Sequence, residues 1–565
     1  MERFVESGAG GPSEVFDLLI VGGGITGAAL AYDAALRGLS VALVEKRDFG
    51  CATSSVTSKL IHGGFRYLAN MELGLVRESL RERRTLENIA PNFAYPVPTI
   101  ITAYHTTLFN TLPMIWTGMA LYEVLSFDKG RTWDKAKAIP PHRMLSADEA
   151  VRLEPNIRAP GLRGAGLQYD CQSLCPERLT LAFLRSAVAH GARVANYARV
   201  ERFLLSGASG AVGGRGRVRG AVVVDELHGR SVEVRARLTV NCAGPWADLV
   251  LGLLRAGTGE RKLRRSEGIH VVTRKLVDRH MVACVGKSGG HFFLVPWRGH
   301  TLIGTTDKEY VGNPDDYRVT RAAIEELLDE VNSAFGHAPI GYGDVVHAYG
   351  GLRPLVEDQT KGVYESSRRY EIHDNGEDGF DGLLTVEGGK YTTSRNLAEA
   401  TMKMIGSKLG RELAPCETAK RRLVGCEIDD VEAFVSAAQR ANPAVAPATV
   451  DWLARQYGTD HARVLELARA EPSLATPLDA DGEIAAQAVY AVREEMARTL
   501  ADVVLRRTGL GTLGHPGDEA LGAIADVTAR ELGWDEAKKA RELAQVGAAL
   551  QLPVAVQAGL APLLA

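Results

Sequence analysis

Cysteine is scarce in this chain: there are seven in 565 residues, an odd number, and only Cys171 and Cys175 stand close together, without a CxxC pair. That excludes a disulfide scaffold and a zinc site of the usual ligand spacing, and it points to a reducing, cytoplasmic compartment. Aromatic residues make up 6% and the formal net charge is −3. An RNA- or DNA-binding face needs clustered positive charge with exposed aromatics, so nucleic acid is excluded as a partner and any anion must be held by a local group of Arg and Lys. Long hydrophobic runs are missing too. The strongest, 106–122, carries Asn110, Pro113 and Gly118 and is shorter than the roughly 20 apolar residues a spanning helix needs. Its Met114, Trp116, Leu121 and Tyr122, followed by Lys129, Arg131, Lys135 and Lys137, suit attachment at a lipid interface as well as they suit a packed helix under a basic loop. Residues 1–14 lack the apolar core of a signal peptide and read as a disordered leader. No internal repeat and no low-complexity tract is present.

What the chain has instead is glycine in informative places. Residues 17–45, DLLIVGGGITGAALAYDAALRGLSVALVE, read as strand, glycine turn, helix and second strand, closing on an acid. Gly22 permits the tight turn, Gly24 lets backbone N–H groups approach a pyrophosphate, and Gly27 lets the helix pack close to the strand. Glu45 stands where a carboxylate accepts hydrogen bonds from a ribose. The unit therefore binds a dinucleotide.

Beyond Glu45 the stretch CATSSVTSKLIHGGFRYLAN concentrates Thr53, Ser54, Ser55, Thr57, Ser58, Lys59, His62, Arg66 and Tyr67. Hydroxyls and cations this dense can bond a pyrophosphate or a ring edge. Farther on, 181–190 reads as a helix, 193–205 as a strand, and 217–240 as a hairpin with a return strand that ends at NCAGPW. HFFLVPW and TLIGTTD read as strands of a second lobe. Another glycine turn, Gly388-Gly389-Lys390, follows the strand 383–386 and opens a helix. From about 416 the pattern becomes almost purely helical. In VYAVREEMARTLADVVLRR, Val489, Val492, Met496, Leu500 and Val503 form one apolar stripe, with Arg493, Glu494, Glu495 and Arg498 on the other faces.

In combination and in order, GGGITG, CATSSVTSKLIHGGFRYL, NCAGPW, GTTD, GLRPL, GGKYTT and the C-terminal helical segment resemble the flavin-dependent glycerol-3-phosphate dehydrogenases over nearly the whole chain. The resemblance implies an α/β fold: a Rossmann-like FAD-binding domain interrupted by a mixed-sheet substrate-capping domain, plus a C-terminal all-helical domain. The boundaries expected are 1–14 for the leader, 15–415 for the oxidoreductase domain and 416–565 for the helical domain. Within 15–415, the FAD-binding part takes about 15–100, 180–265 and 343–415, and the cap about 101–179 and 266–342. It further implies noncovalent FAD, glycerol 3-phosphate as substrate, dihydroxyacetone phosphate as product and a membrane quinone as electron acceptor. A homodimer and a peripheral position on the inner face of the cytoplasmic membrane are also suggested.

Carried over by position, the resemblance places Gly22, Gly24, Gly27, Glu45, Thr53, Ser54, Ser55, Ser58, Lys59, His62, Val200, Gly244, Trp246, Gly389, Lys390 and Thr392 at FAD. Arg66, Tyr67, Arg353, Arg368 and Lys390 fall to the substrate, whose dianionic phosphate wants such a cluster. The reacting centre falls to His62, Arg353 and Lys390. An arginine stays protonated, so His62 is the candidate base, with Lys390 or a water as competitors. The turn Gly388 to Lys390 offers N–H groups, a helix N-terminus and an ammonium to the negative charge of reduced flavin. Two departures stand out: Glu267 where the family more often has Lys, removing a positive charge near the expected site, and Pro-Glu-Arg at 176–178. Three other readings remain: an oxidase using O2, an enzyme for another hydroxy or amino acid, and a flavin-binding protein without catalysis.

Overall fold

The computed structural model describes residues 1–6, 14–68, 70–105, 110–207, 216–254, 263–336, 338–355 and 370–554. Its first sheet is built on the apolar run at the start of the chain. Leu18, Leu19 and Ile20 are buried on both faces, which a strand between two layers requires. The order is Tyr370–Asp374, Leu383–Gly388, Arg230–Asn241, Val15–Val21, Val41–Val44, Arg193–Ala195. All neighbours in that order run parallel except the first pair. The helices Ile25–Leu36, Pro176–Ala189 and Ser394–Leu409 contribute to the core on one face of this sheet. On the other face, the strands Ala198–Ser206 and Gly216–Asp225 cover it as an antiparallel pair. Small residues let the first helix lie close: a Cβ at Gly27 would stand 2.0 Å from the Gly22 carbonyl oxygen.

The second sheet runs Lys308–Tyr310, Arg264–Thr273, His300–Gly304, His291–Trp297, Met281–Val285, Tyr95–Ala103, Gly164–Gln172, Leu60–Ile61, with Val345–Leu355 also paired to Arg264–Thr273. Helix Arg321–Ala334 packs on it through Ile324, Leu327, Leu328 and Val331. The strands Tyr95–Ala103 and Val345–Leu355 belong to this sheet, although their positions in sequence suggested the nucleotide-binding part. Their partners, Gly164–Gln172 and Arg264–Thr273, lie far along the chain, so local pattern could not assign them.

Two expectations are corrected. The first six residues are no disordered leader: Arg3 is fully buried and pairs with Asp225 at 2.7 Å, and Phe4 and Val5 join the core. A buried guanidinium demands such a partner. The apolar stripe 489–503 is not one helix either. Helix Ala486–Glu495 stops where Met496 takes a φ of +56°, and Thr499 and Asp502 cap a new turn that continues as the π-turn Val503–Arg507. All five stripe residues are buried, but Val489 and Val492 come from the helix, Leu500 and Val503 from the new turn and its π continuation, and Met496 from the break between them. Glu495, expected on a polar face, is fully buried against Arg178 at 2.8 Å. Among the described residues, no helix is long and apolar enough to cross a membrane.

Candidate nucleotide and anion site

A cavity of about 1160 Å³ runs between the two sheets. At one end it meets the first glycine turn: Gly22, with φ +111°, Gly24 and the start of helix Ile25–Leu36, whose first turn carries no acid. A helix N-terminus presents free N–H groups and a partial positive charge, which suits a pyrophosphate. Gly27 lies behind this turn, outside the lining, and acts through packing. The Glu45 carboxylate accepts from Gly23 N at 2.7 Å and from Arg47 N at 3.0 Å, which fixes it at the cavity wall. Val200, Gly244 and Trp246 line the same end.

The hydroxyl-rich loop divides its work. Thr53, Ser54 and Ser58 line the cavity. Ser54 Oγ accepts from Ile25 N at 2.9 Å, Thr53 Oγ1 donates to Leu352 O at 2.6 Å, and Ser58 Oγ is hydrogen-bonded to His270 Nε2 at 2.8 Å. These bonds tie the loop to both lobes. Ser55 and Lys59 do not line the cavity. Ser55 Oγ donates to Ala52 O, and Lys59 turns into the protein to pair with buried Glu177. Glu177 belongs to the departure at 176–178, and it supplies the carboxylate that a buried ammonium needs.

At the other end, cations converge. Arg66 and Lys390 lie over the Tyr67 ring, 5.0 and 4.0 Å from its centre. Arg353 approaches Asp307 at 3.3 Å and Arg66 approaches the same carboxylate at 4.0 Å. Lys390 Nζ donates to Ser79 Oγ at 3.0 Å, and burial lowers its ammonium below the ordinary range. Two guanidinium groups beside Asp307 and an ammonium beside the shared Tyr67 ring gather positive charge at this end, a setting that can receive an anion. Arg368 lies outside the described residues. His62 lines this end as well. Burial, opposed by Asp170, brings its imidazole down to about 4, so it is neutral near pH 7. His62 N donates to Thr392 Oγ1 at 3.3 Å, and Gly389, with φ +84°, and Thr392 also face the cavity.

Sequence reasoning missed two residues. Asp307, the last residue of the GTTD motif, is the carboxylate both arginines approach. The motif was visible, but its pairing was not. His270, buried and stacked 5.1 Å from the Tyr349 ring, is held well below its usual pKa by burial and by Arg353. Only the strand register, which sets His270 opposite Tyr349, reveals it. Glu267, by contrast, does not line the cavity. Its carboxyl is raised by burial against the pull of Lys308, so no cation is lost from the anion wall there.

The cavity fits FAD in kind. It joins a glycine turn at a helix N-terminus, an acid at ribose distance along the chain, and a second positive-φ glycine turn opening the helix Ser394–Leu409. Residues 17–395 match the family described as FAD dependent oxidoreductase, and 416–539 match the C-terminal domain of alpha-glycerophosphate oxidase. A glycerol-3-phosphate dehydrogenase of Synechocystis sp. is 34% identical, covering 92% of this chain and 94% of its own length. The aerobic glycerol-3-phosphate dehydrogenase of Bacillus subtilis is 30% identical, covering 93% of each. The structure of the glycerol-3-phosphate dehydrogenase from Bacillus halodurans complexed with FAD superposes with a TM-score of 0.75, at 28% identity and 97% coverage of both chains. The chain therefore belongs to the FAD-dependent oxidoreductases, and within them to the glycerol-3-phosphate dehydrogenase family, with FAD as its cofactor.

Proposed function

We propose that this chain oxidises sn-glycerol 3-phosphate to dihydroxyacetone phosphate and passes the electrons to a membrane quinone. The observation that carries the substrate is the convergence of Arg66, Arg353 and Lys390 around Tyr67 and Asp307 at one end of the cofactor cavity. The two guanidinium groups hold phosphate oxygens as planar forks, and Lys390 adds a point charge. A single carboxylate substrate would leave that wall under-neutralised.

FAD, when bound, supplies the hydride acceptor, N5, for the hydrogen leaving C2 of the substrate. His62, neutral and facing the cavity, accepts the hydroxyl proton. Lys390 and the turn Gly388-Gly389 direct positive charge toward the cavity, which favours an electron-rich neighbour.

Quinone as acceptor is supported by helix Leu112–Leu125. Its Met114, Thr117, Gly118 and Leu121 line the cavity, while Trp116 and Val124 lie exposed, with Phe127 just beyond. One helix thus links the reaction chamber to an outward apolar face suited to a bilayer surface. The face differs from that read in the sequence: Tyr122 is buried with its hydroxyl on Asp170, and Lys137 is buried with its ammonium on the Ala94 carbonyl.

An oxidase that reduces O2 is the second reading, favoured by the match of 416–539 to an oxidase C-terminal domain. Anaerobic mixing of the holoenzyme with glycerol 3-phosphate decides both points. Bleaching of the oxidised flavin band establishes the substrate. Recolouring by quinone much faster than by O2 establishes the dehydrogenase, and the reverse order an oxidase. Absence of bleaching rejects the substrate.

A further inference from the structure

Asp315 sits on the capping lobe in the short helical turn Pro314–Asp316, between strand Lys308–Tyr310 and helix Arg321–Ala334. One of its oxygens, Oδ1, receives three donors from the nucleotide lobe: Lys46 Nζ at 2.8 Å, Arg47 Nη2 at 2.9 Å and Trp246 Nε1 at 3.0 Å. Lys46 also lies 4.7 Å from the centre of the Trp246 ring. Lys46, Arg47 and Trp246 all line the cofactor cavity. Lys46 and Arg47 directly follow Glu45, whose carboxylate is fixed in part by Arg47 N. Trp246 ends the turn that brings Gly244 to the same end.

This carboxylate is one point where the cap closes on the ribose-binding end of the cavity; the buried Arg265, on the Pro245 carbonyl and Asp248, is another. The three donors come from two segments nearly 200 positions apart in sequence, and Asp315 is the acceptor they share. The charges are partly exposed: 31% for the Lys46 side chain, 53% for Arg47 and 38% for Asp315. Pairs of that exposure are individually weak and are screened by salt. A contact that is weak, shared and at the rim can open without unfolding either lobe.

We propose that Asp315 is a positioning residue for the cofactor: a clasp that retains the adenosine half of FAD and whose opening is the route of cofactor exchange. The inference rests on the FAD assignment and is independent of the substrate. Closed, it holds the Glu45–Arg47 segment and the Trp246 indole in place. Open, it frees Lys46, Arg47 and the Trp246 indole from the cap, while Arg265 of the strand Arg264–Thr273 still holds the Pro245 carbonyl and Asp248.

The test is the rate of FAD release from the holoenzyme, diluted far below its cofactor affinity and followed by the rise in free-flavin fluorescence, at low and high salt. Asp315→Ala is expected to release FAD about tenfold faster at low salt, the scale of two partly exposed, screened charge pairs and one indole hydrogen bond to the same carboxylate. Release from the unaltered chain should accelerate with salt, whereas release from Asp315→Ala should be nearly insensitive to it. Asp315→Asn, which keeps an acceptor but no charge, should fall between. Asp316→Ala, on the exposed neighbour, should match the unaltered chain. Release from Asp315→Ala within twofold of the unaltered chain and with the same salt slope overturns the proposal, while tight FAD binding by both leaves the cofactor assignment standing. Equal acceleration in Asp316→Ala and Asp315→Ala also overturns it, because the effect then belongs to the turn and not to the shared oxygen.

Discussion

Asp48 and Arg507 lie 459 positions apart and meet as a bidentate pair, with guanidinium nitrogens 2.9 and 2.8 Å from the two carboxylate oxygens. Arg506 reaches the same carboxylate, and Asn196 donates to it at 3.0 Å. Asp48 belongs to the loop between Glu45 and Ser54, so the C-terminal helical domain grips from behind a loop that lines the cavity. A gripped loop is a pre-organised loop, which loses less conformational freedom when FAD binds.

Asp48→Ala is therefore expected to destabilise the fold by about 3–5 kcal/mol, the cost of leaving one buried charge without its partner. Denaturant unfolding of the holoenzyme reads the loss, and FAD affinity should weaken with it.

The same pair sets an acid limit. Burial opposes ionisation of Asp48, but Arg507 and Arg506 outweigh it and hold the carboxyl down to about 2. A lowered pKa means that the folded chain binds this proton more weakly than the unfolded chain. Its stabilisation is complete above about 3.9 and is lost as pH falls toward 2. In thermal melts between pH 4.5 and 2, Asp48→Asn should show a shallower decline than the unaltered chain.

His62→Asn should slow flavin reduction by glycerol 3-phosphate about 10²–10⁴-fold, the usual contribution of a positioned base. In the free enzyme the imidazole accepts a proton only as pH falls to about 4. A limb near pH 6 in kcat/KM must then come from the phosphate, whose second ionisation lies near 6, and it should persist in the variant. Stopped-flow reduction across pH 5–9 separates the two. A rate unchanged by the substitution removes His62 as the base.

Lys390→Met should lower the flavin potential by about 30–60 mV, equivalent to roughly 1.4–2.8 kcal/mol for two electrons, and raise the KM for substrate. Equilibrium titration against a reference dye measures the first. An unaltered potential means that the ammonium serves the phosphate alone.

Gly27→Ala should abolish FAD binding while Gly38→Ala leaves it intact. The new methyl group at 27 would meet the Gly22 carbonyl oxygen at 2.0 Å and force the turn open, whereas nothing lies within 4 Å at 38. Position 38 has a φ of +81°, so its cost should appear in stability and not in cofactor content. Flavin absorbance of the purified variants checks both.

The nucleotide end was legible because its information is local: Gly22, Gly24, Gly27 and Glu45 lie within one strand–helix–strand unit, and each spacing has a steric or hydrogen-bonding reason. The anion end was legible in residue type only. Arg66, Arg353 and Lys390 could be named, but their meeting depends on Val345–Leu355 pairing with Arg264–Thr273 in the second sheet, a register that no local pattern encodes. Lys59 was misplaced because a cation in a donor-rich loop reads the same whether it faces the cavity or turns, at a φ of +56°, toward a buried carboxylate. The broken stripe at Met496 was hidden because apolar spacing of three and four survives a change of element when the residues on both sides of the break are buried, even though they enter different clusters.

The strand Val15–Val21 is made long before its partners: one neighbour, Arg230–Asn241, comes more than 200 residues later, and the next, Leu383–Gly388, later again. During translation, then, the opening unit emerges with an apolar strand edge that stays unpaired for most of synthesis. Arg506 and Arg507, which close over Asp48, arrive later still. A nascent chain stalled anywhere before Leu383 lacks both that neighbouring strand and the glycine turn Gly388-Gly389 that follows it. The exposed edge of the half-made sheet is therefore where mispairing between nascent chains starts, and where a chaperone has to work.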